Sequence, residues 1–399
     1  MTKPLGILLL VAGCSGTAGK LPNIRPGIEV LLQDSIHLVS GADVAILTNR
    51  TGIDSKGRSD IDLLLDAGVS LRAIFSPEHA FMANLDVEGI DHSLDSATGL
   101  PIYSLYGDTR APTPAMLAGI DVLLVDLPDI GARTYTYTTT AVLATRSAAE
   151  NGVTIVVLDR PNPIGGVIQG PVLQSEYSSF VGMLDLPLRH GMTMGEMTAY
   201  ANESLGIGAD LRVVPVDNWR RSMWFDQLDL PWVRPSPNMP DLESATHYPG
   251  LVLFEATNLS VGRGTEMAFQ LLGAPWLDAR AVIAHLGGVK GVALSDTVFV
   301  PRGPGDGKYD GATVRGIRLQ VTDRGNHDPT ELAVRLFDAV STLHPEFSIQ
   351  NSRLDARYGS DSLRVLLAEA SGWQRIVSSW PEGLRDFSRR VSPYLIYPE

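Results

Sequence analysis

Glu78 and His79 follow directly on Ser76-Pro77 at the end of an apolar run, so a carboxyl group and an imidazole sit where proline stiffens the chain and stops a strand from continuing. An acid beside an imidazole at a fixed place can give and take a proton, the chemistry of general acid/base catalysis. The plainer reading makes Glu78 an acid at a helix N-terminus. Residues 120–140, IDVLLVDLPDIGARTYTYTTT, offer a second set. Asp126 and Asp129 close an apolar run, Gly131 allows a tight bend, Arg133 presents a planar two-pronged donor, and Tyr135 and Tyr137 have flat faces with polar tips. Such a set suits an acidic sugar. Alternatively the aspartates cap the strand end and Arg133 pairs with one of them. Further polar groups gather at Asn49-Arg50, at Asp159-Arg160 between Leu158 and Pro161, at His190 before Gly191, and in the stretch holding Glu255, Asn258, Ser260, Arg263 and Thr265.

The elements that would position these groups follow from periodicity. Ala42–Leu47, Val69–Phe75, Val122–Val125 and Val153–Leu158 are short continuous apolar runs, the pattern of strands buried on both faces. Helical spacing separates them at 60–67 and near 141–150. Alternating strand, polar loop and helix predicts a doubly wound α/β sheet, whose ligands bind outside the carboxyl ends of the strands. Thr193 with Glu196 three residues on predicts a capping box, which makes Glu196 structural. Tyr103, Tyr106 and Arg110 around a turn read as a wall of the site. Trp219, Trp224 and Trp232 read either as a sugar-stacking platform or as core. Pro235, Pro237 and Pro240 stiffen a crossing that predicts a division into residues 23–240 and a smaller α+β domain at 241–399 contributing to the cleft.

Composition narrows the function. The 399 residues are 44% hydrophobic and 19% charged, as in a soluble globular protein, and the net charge of −13 opposes nucleic acid as a partner. There is no G-x-G-x-x-G turn, no G-x-S-x-G elbow and no metal-ligand spacing, so neither cofactor nor metal is expected. The lone cysteine stands in MTKPLGILLLVAGCSGT, where a lysine, a leucine run and small residues resemble a bacterial lipoprotein box. Residues 1–22 are therefore expected to be a signal peptide and linker. Cys14 would be the lipidated residue, anchoring an exported chain to the cell envelope.

FSPEHA, DIGARTYTYTTT, LDRPNPIGG, LRHGMTMGEM, PSPNMP, FEATNLSVGRGT, GAPW and PYLIYP, in that order, resemble the signature segments of the NamZ-like exo-β-N-acetylmuramidases. The resemblance covers nearly everything after the leader. It implies a Rossmann-like domain with a second domain beside it, and removal of a terminal non-reducing N-acetylmuramic acid from peptidoglycan fragments. It also implies Glu78 as the acid/base group. Two positions depart from the family, which usually has glycine where this chain has Ala80 and Ala256. Under this reading Glu78 and His79 are catalytic with Asp126, Asp129 or Glu255 as the second carboxylate. Asn49, Arg50, Arg133, Tyr135, Asp159, Arg160, His190, Asn258 and Arg263 would line the substrate, with Arg133 and Arg263 receiving the lactyl carboxylate. The competing reading is a non-catalytic lipoprotein that binds muropeptides.

Overall fold

The computed structural model describes residues 23–87, 89–369 and 372–399, so the predicted leader and Cys14 lie outside the described residues. In chain order the strands are β1 (Asp43–Thr48), β2 (Ser70–Ser76), β3 (Ser93–Leu94), β4 (Pro101–Ser104), β5 (Val122–Asp126), β6 (Thr154–Leu158), β7 (Gln169–Val172), β8 (Pro187–Arg189), β9 (Leu211–Val214), β10 (Leu271–Ala274), β11 (Val292–Phe299) and β12 (Val314–Val321). Seven of them form one sheet in the order β3-β4-β2-β1-β5-β6-β9. All pair in parallel except β3, which runs antiparallel to β4. Numbered by their own sequence order the six parallel strands run 3-2-1-4-5-6, the doubly wound order that the alternating pattern predicts.

Each apolar run is continuous because its alternate residues feed two different cores. Ala45, Leu47, Leu123, Val125, Ile155 and Val157 face one; Val44, Ile46, Val122, Leu124, Val156 and Leu158 face the other. Helices Gly27–Asp34 and Asp60–Asp66 cover the second face, and helix Tyr137–Glu150 covers the first. The C-terminal part is α+β: an antiparallel sheet β10-β12-β11 packed by helix Ala279–Leu286, on which helix Pro329–Leu343 packs in turn.

The two parts share one core, in which Val125 and Tyr135 belong to the same cluster as Phe254, Ile317 and Phe337. The proline-rich crossing at 231–240 is thus no loose linker. Moreover the chain end returns to the first part. Helix Trp380–Val391 packs on β7, and the Tyr397 hydroxyl donates to Asp159 at the end of β6 (2.5 Å). Glu196 completes its capping box with Thr193, as predicted, and also pairs with Arg221 and accepts the Ile396 amide at 2.8 Å.

Candidate active site

Proline at 77 ends β2 and the chain turns sharply: His79 and Ala80 have φ of 72° and 65°. Ala80, where the resemblance leads one to expect glycine, thus holds a left-handed backbone that glycine adopts without strain. Glu78 points into a cleft of about 400 Å³ between the two parts of the molecule. Its carboxylate accepts a hydrogen bond from the Thr136 hydroxyl at the entrance to helix Tyr137–Glu150. Tyr106 stands beside it, its phenol pushed up to about 12 by burial and by the Glu78 charge. The His79 Nδ1–H donates to the Leu85 carbonyl (2.7 Å), which leaves Nε2 as the acceptor of the neutral ring.

The opposite wall comes from the C-terminal part. Helix Leu242–Leu251 brings Tyr248, and the short 3-10 turn after it brings Glu255. Burial opposes the Glu255 charge, yet Arg263 and Arg357 outweigh it and hold the carboxyl down at about 2. Both carboxylate oxygens are occupied, one by Arg263 (2.8 Å from Nε) and the other by Arg357 (3.3 Å). Arg263 also reaches Asp86 at 3.1 Å, and Asn238 donates to the same carboxylate at 2.8 Å. The loop between β11 and β12 closes over this group. A side chain at Gly305 would meet the Asp86 carboxylate at 2.1 Å, so only glycine permits the approach. Tyr106, Phe180, Tyr135, Tyr248 and Phe269 supply the aromatic surface.

Several predicted residues are placed elsewhere. Asp129 is buried beneath the 130–138 loop, where it accepts from the Gly131 amide and from His190 Nε2 (3.0 Å), while His190 Nδ1 accepts the Met192 amide (3.1 Å). Both imidazole nitrogens are therefore used inside the core. Gly131 makes the expected bend at φ 84°, against Ile164. Arg133, 3% exposed, spreads its guanidinium over four main-chain carbonyls: Pro171 (3.0 Å), Leu186 (2.7 Å), Arg357 (2.8 Å) and Tyr358 (2.8 Å). Burial pulls it down to about 9. It binds the last turn of helix Asn351–Tyr358, where free carbonyls and the helix dipole favour a cation, and it does not line the cleft.

Arg160 forms a buried two-pronged pair with Asp126 and donates to the Ile53 carbonyl. Asp60 lies beside that pair, its carboxyl raised well above the ordinary range by burial and by Asp126. These groups plug the crevice between β1 and β5, where a doubly wound sheet would ordinarily take its ligand. The hollow that remains there is only about 60 Å³. Asp159 caps helix Met194–Ser204 through the Gly195 amide and binds Tyr397. Asn49 is buried and holds the Tyr137 hydroxyl (2.8 Å), whereas Arg50 is exposed and does not line the cleft. Asn258 ties down the 346–348 segment. Of the tryptophans, Trp219 packs on Tyr397, Trp224 lies under Arg189 and Arg324, and Trp232 packs on Phe225. None of the three lines the cleft.

Of the predicted set the cleft thus brings together Glu78, His79, Tyr135, Glu255 and Arg263, with Tyr106 on its wall. It adds Asp86, Thr136, Phe180, Asn238, Tyr248, Arg353 and Arg357, which sequence reasoning missed. Arg353 and Arg357 had a signal, since a spacing of four puts two guanidinium groups on one face of a helix.

Residues 44–243 match the family model described as exo-beta-N-acetylmuramidase NamZ, N-terminal, and residues 246–397 match its C-terminal counterpart. The peptidoglycan beta-N-acetylmuramidase NamZ of Bacillus subtilis (strain 168) is 38% identical over 388 residues, covering 95% of this chain and 92% of that one. Two crystal structures of DUF1343 family proteins from Bacteroides fragilis NCTC 9343 superpose on the fold. BF0371 does so with a TM-score of 0.86 at 33% identity over 94% of this chain and 99% of its own; BF0379 with 0.75 at 29% over 95% and 100%. With both halves matched in order and the relatives covered almost end to end, the chain belongs to the NamZ exo-β-N-acetylmuramidase family.

Proposed function

We propose that this protein is a glycosidase that removes a terminal N-acetylmuramic acid from the non-reducing end of peptidoglycan fragments, with Glu78 as the group that protonates the departing glycosidic oxygen. The observation that carries the reading is the contrast between Glu78 and Glu255, which face the cleft from opposite walls. Glu255 is fixed as an anion by Arg263 and Arg357, while among the described residues Glu78 has no ion-pair partner and stands against the hydroxyls of Thr136 and Tyr106. Environments that separate two acids in this way separate their roles. Glu78, with no arginine holding it, is the carboxyl group of the pair to which the acid role falls. Glu255 cannot donate one at any ordinary pH and supplies a fixed charge that sets Arg263 and Arg357 in place. With Asp126 and Asp129 buried elsewhere, Glu255 is the carboxylate of the three expected partners that shares the cleft with Glu78. A cleft of about 400 Å³ suits a terminal sugar more than the length of a glycan strand, which supports exo action.

The test is Glu78→Gln, which keeps the acceptor for the Thr136 hydroxyl and removes the transferable proton. On a chromogenic N-acetyl-β-muramide kcat should fall by at least about 100-fold, with the melting curve unchanged. Turnover near the wild-type rate at the optimum pH would refute the assignment, and wild-type protein that leaves the muramide intact would refute the function.

A further inference from the structure

Charge pairing inside the cleft leaves two charges over. Asp86 and Glu255 are paired with Arg263, Glu255 with Arg357, and Asp306 with Lys308 at 3.7 Å. Among the described charged side chains that line the cleft, Glu78 and Arg353 are the two without an opposite charge beside them. Glu78 has a role in the chemistry. Arg353 makes one long contact, to the Gln350 side chain (3.4 Å), and is exposed to the cleft. One turn further along the same helix, Arg357 is nearly buried, yet its Nε has no hydrogen-bond partner among the described residues and its contact to Glu255 is long. Lys308, whose ammonium donates to three main-chain carbonyls, is pulled down by burial against the charges of Asp306 and Glu255 and so is committed to the main chain and not to a ligand.

We propose that Arg353, supported by Arg357, is the anion subsite of the cleft and takes the lactyl carboxylate that distinguishes N-acetylmuramic acid from N-acetylglucosamine. The proposal rests on the muramide reading given above. It replaces the two arginines that the sequence put forward. Arg133 is spent on main-chain carbonyls, and all three guanidinium nitrogens of Arg263 already face Glu255 and Asp86. A planar guanidinium with free edges is the donor a carboxylate needs.

Arg353→Ala, at an exposed site, leaves the fold untouched. On the N-acetyl-β-muramide its kcat/KM should fall at least about 10-fold, chiefly through KM, which is the worth of a charge-assisted hydrogen bond. On the same muramide with its lactyl carboxylate converted to the methyl ester, wild type and variant should be equally slow. A binding measurement needs no turnover: Glu78→Gln protein titrated with free N-acetylmuramic acid should bind it at least about 10-fold more weakly once Arg353→Ala is added, and N-acetylglucosamine binding should not change. An undiminished kcat/KM on the acid, or equal losses on acid and ester, would overturn the subsite. Wild-type protein inert towards the muramide would overturn the function instead, which separates the two failures.

Discussion

Replacing Arg133 by methionine decides between a guanidinium that touches substrate and one that holds the molecule together. Four carbonyls at 2.7–3.0 Å surround it and, among the described residues, no carboxylate does. A hydrogen bond from a charged donor is worth roughly 1.5–3 kcal/mol, so four would give roughly 6–12 kcal/mol before the cost of stripping water from a buried cation is subtracted. That cost is large, as the fall to about 9 shows. Methionine keeps much of the stem and strands four acceptors, and the net loss should be about 3–5 kcal/mol, in the range measured when a buried charge loses its partners. With a urea dependence of about 3 kcal/mol per molar for a chain of this size, the midpoint of equilibrium unfolding should fall by about 1–2 M. Arg133→Lys should recover only part of this, because an ammonium has three donors for four acceptors. Suppose instead that the methionine variant unfolds within about 0.5 M of wild type but loses its preference for the muramide over its methyl ester. The carbonyl cradle would then be wrong and the lactyl contact would belong to Arg133.

Asp159 links stability to pH. Burial, against hydrogen bonds from Thr193, Tyr397 and Gly195, raises its carboxyl to about 6 from 3.8. The folded form thus holds the proton more tightly, and this contribution is whole below about pH 4 and lost as the pH rises through 6, about 3 kcal/mol in all. Urea midpoints between pH 4 and 7 should show that fall in the wild type and not in Asp159→Asn; parallel slopes would rule it out. For the N-terminus, Cys14→Ser should leave the protein unlipidated and absent from the membrane fraction, whereas recovery of equally processed protein in that fraction would dismiss the lipoprotein box.

What could be read from the sequence was local. β5 and β6 were legible because a strand covered on both faces is apolar at every position, and Glu78 because Pro77 fixes the exit from β2 within a few residues. The Thr193–Glu196 box was legible for the same reason. Arg133 was not: a side chain's donors say nothing about whether they face water or the carbonyls of a helix 224 residues away. His190 and Asp129 misled alike, since an imidazole pair in a core has the same letters as one in a site. Arg353 and Arg357 lie in NSRLDARY, whose polar residues read equally well as a solvated helix face, and only the packing of helix Asn351–Tyr358 against the 130–138 loop brings them to the cleft. The tryptophans attracted attention by size, and the aromatic wall came from Phe180, Tyr248 and Phe269 instead.

The clasp of Tyr397 on Asp159 sets an order of assembly. Until residue 397 arrives, the acid at the end of β6 lacks the Tyr397 hydroxyl as a donor, Arg221 lacks the Tyr397 and Pro398 carbonyls, and Glu196 lacks the Ile396 amide. The doubly wound sheet, although its strands lie within the first 214 residues, is therefore clasped by residues 396–398. A chain emerging N-terminus first passes through a stage in which its largest sheet is formed but not sealed. Removal of the final three residues should then act on the earliest-made half of the molecule, while a tag fused after Glu399 leaves the clasp in place.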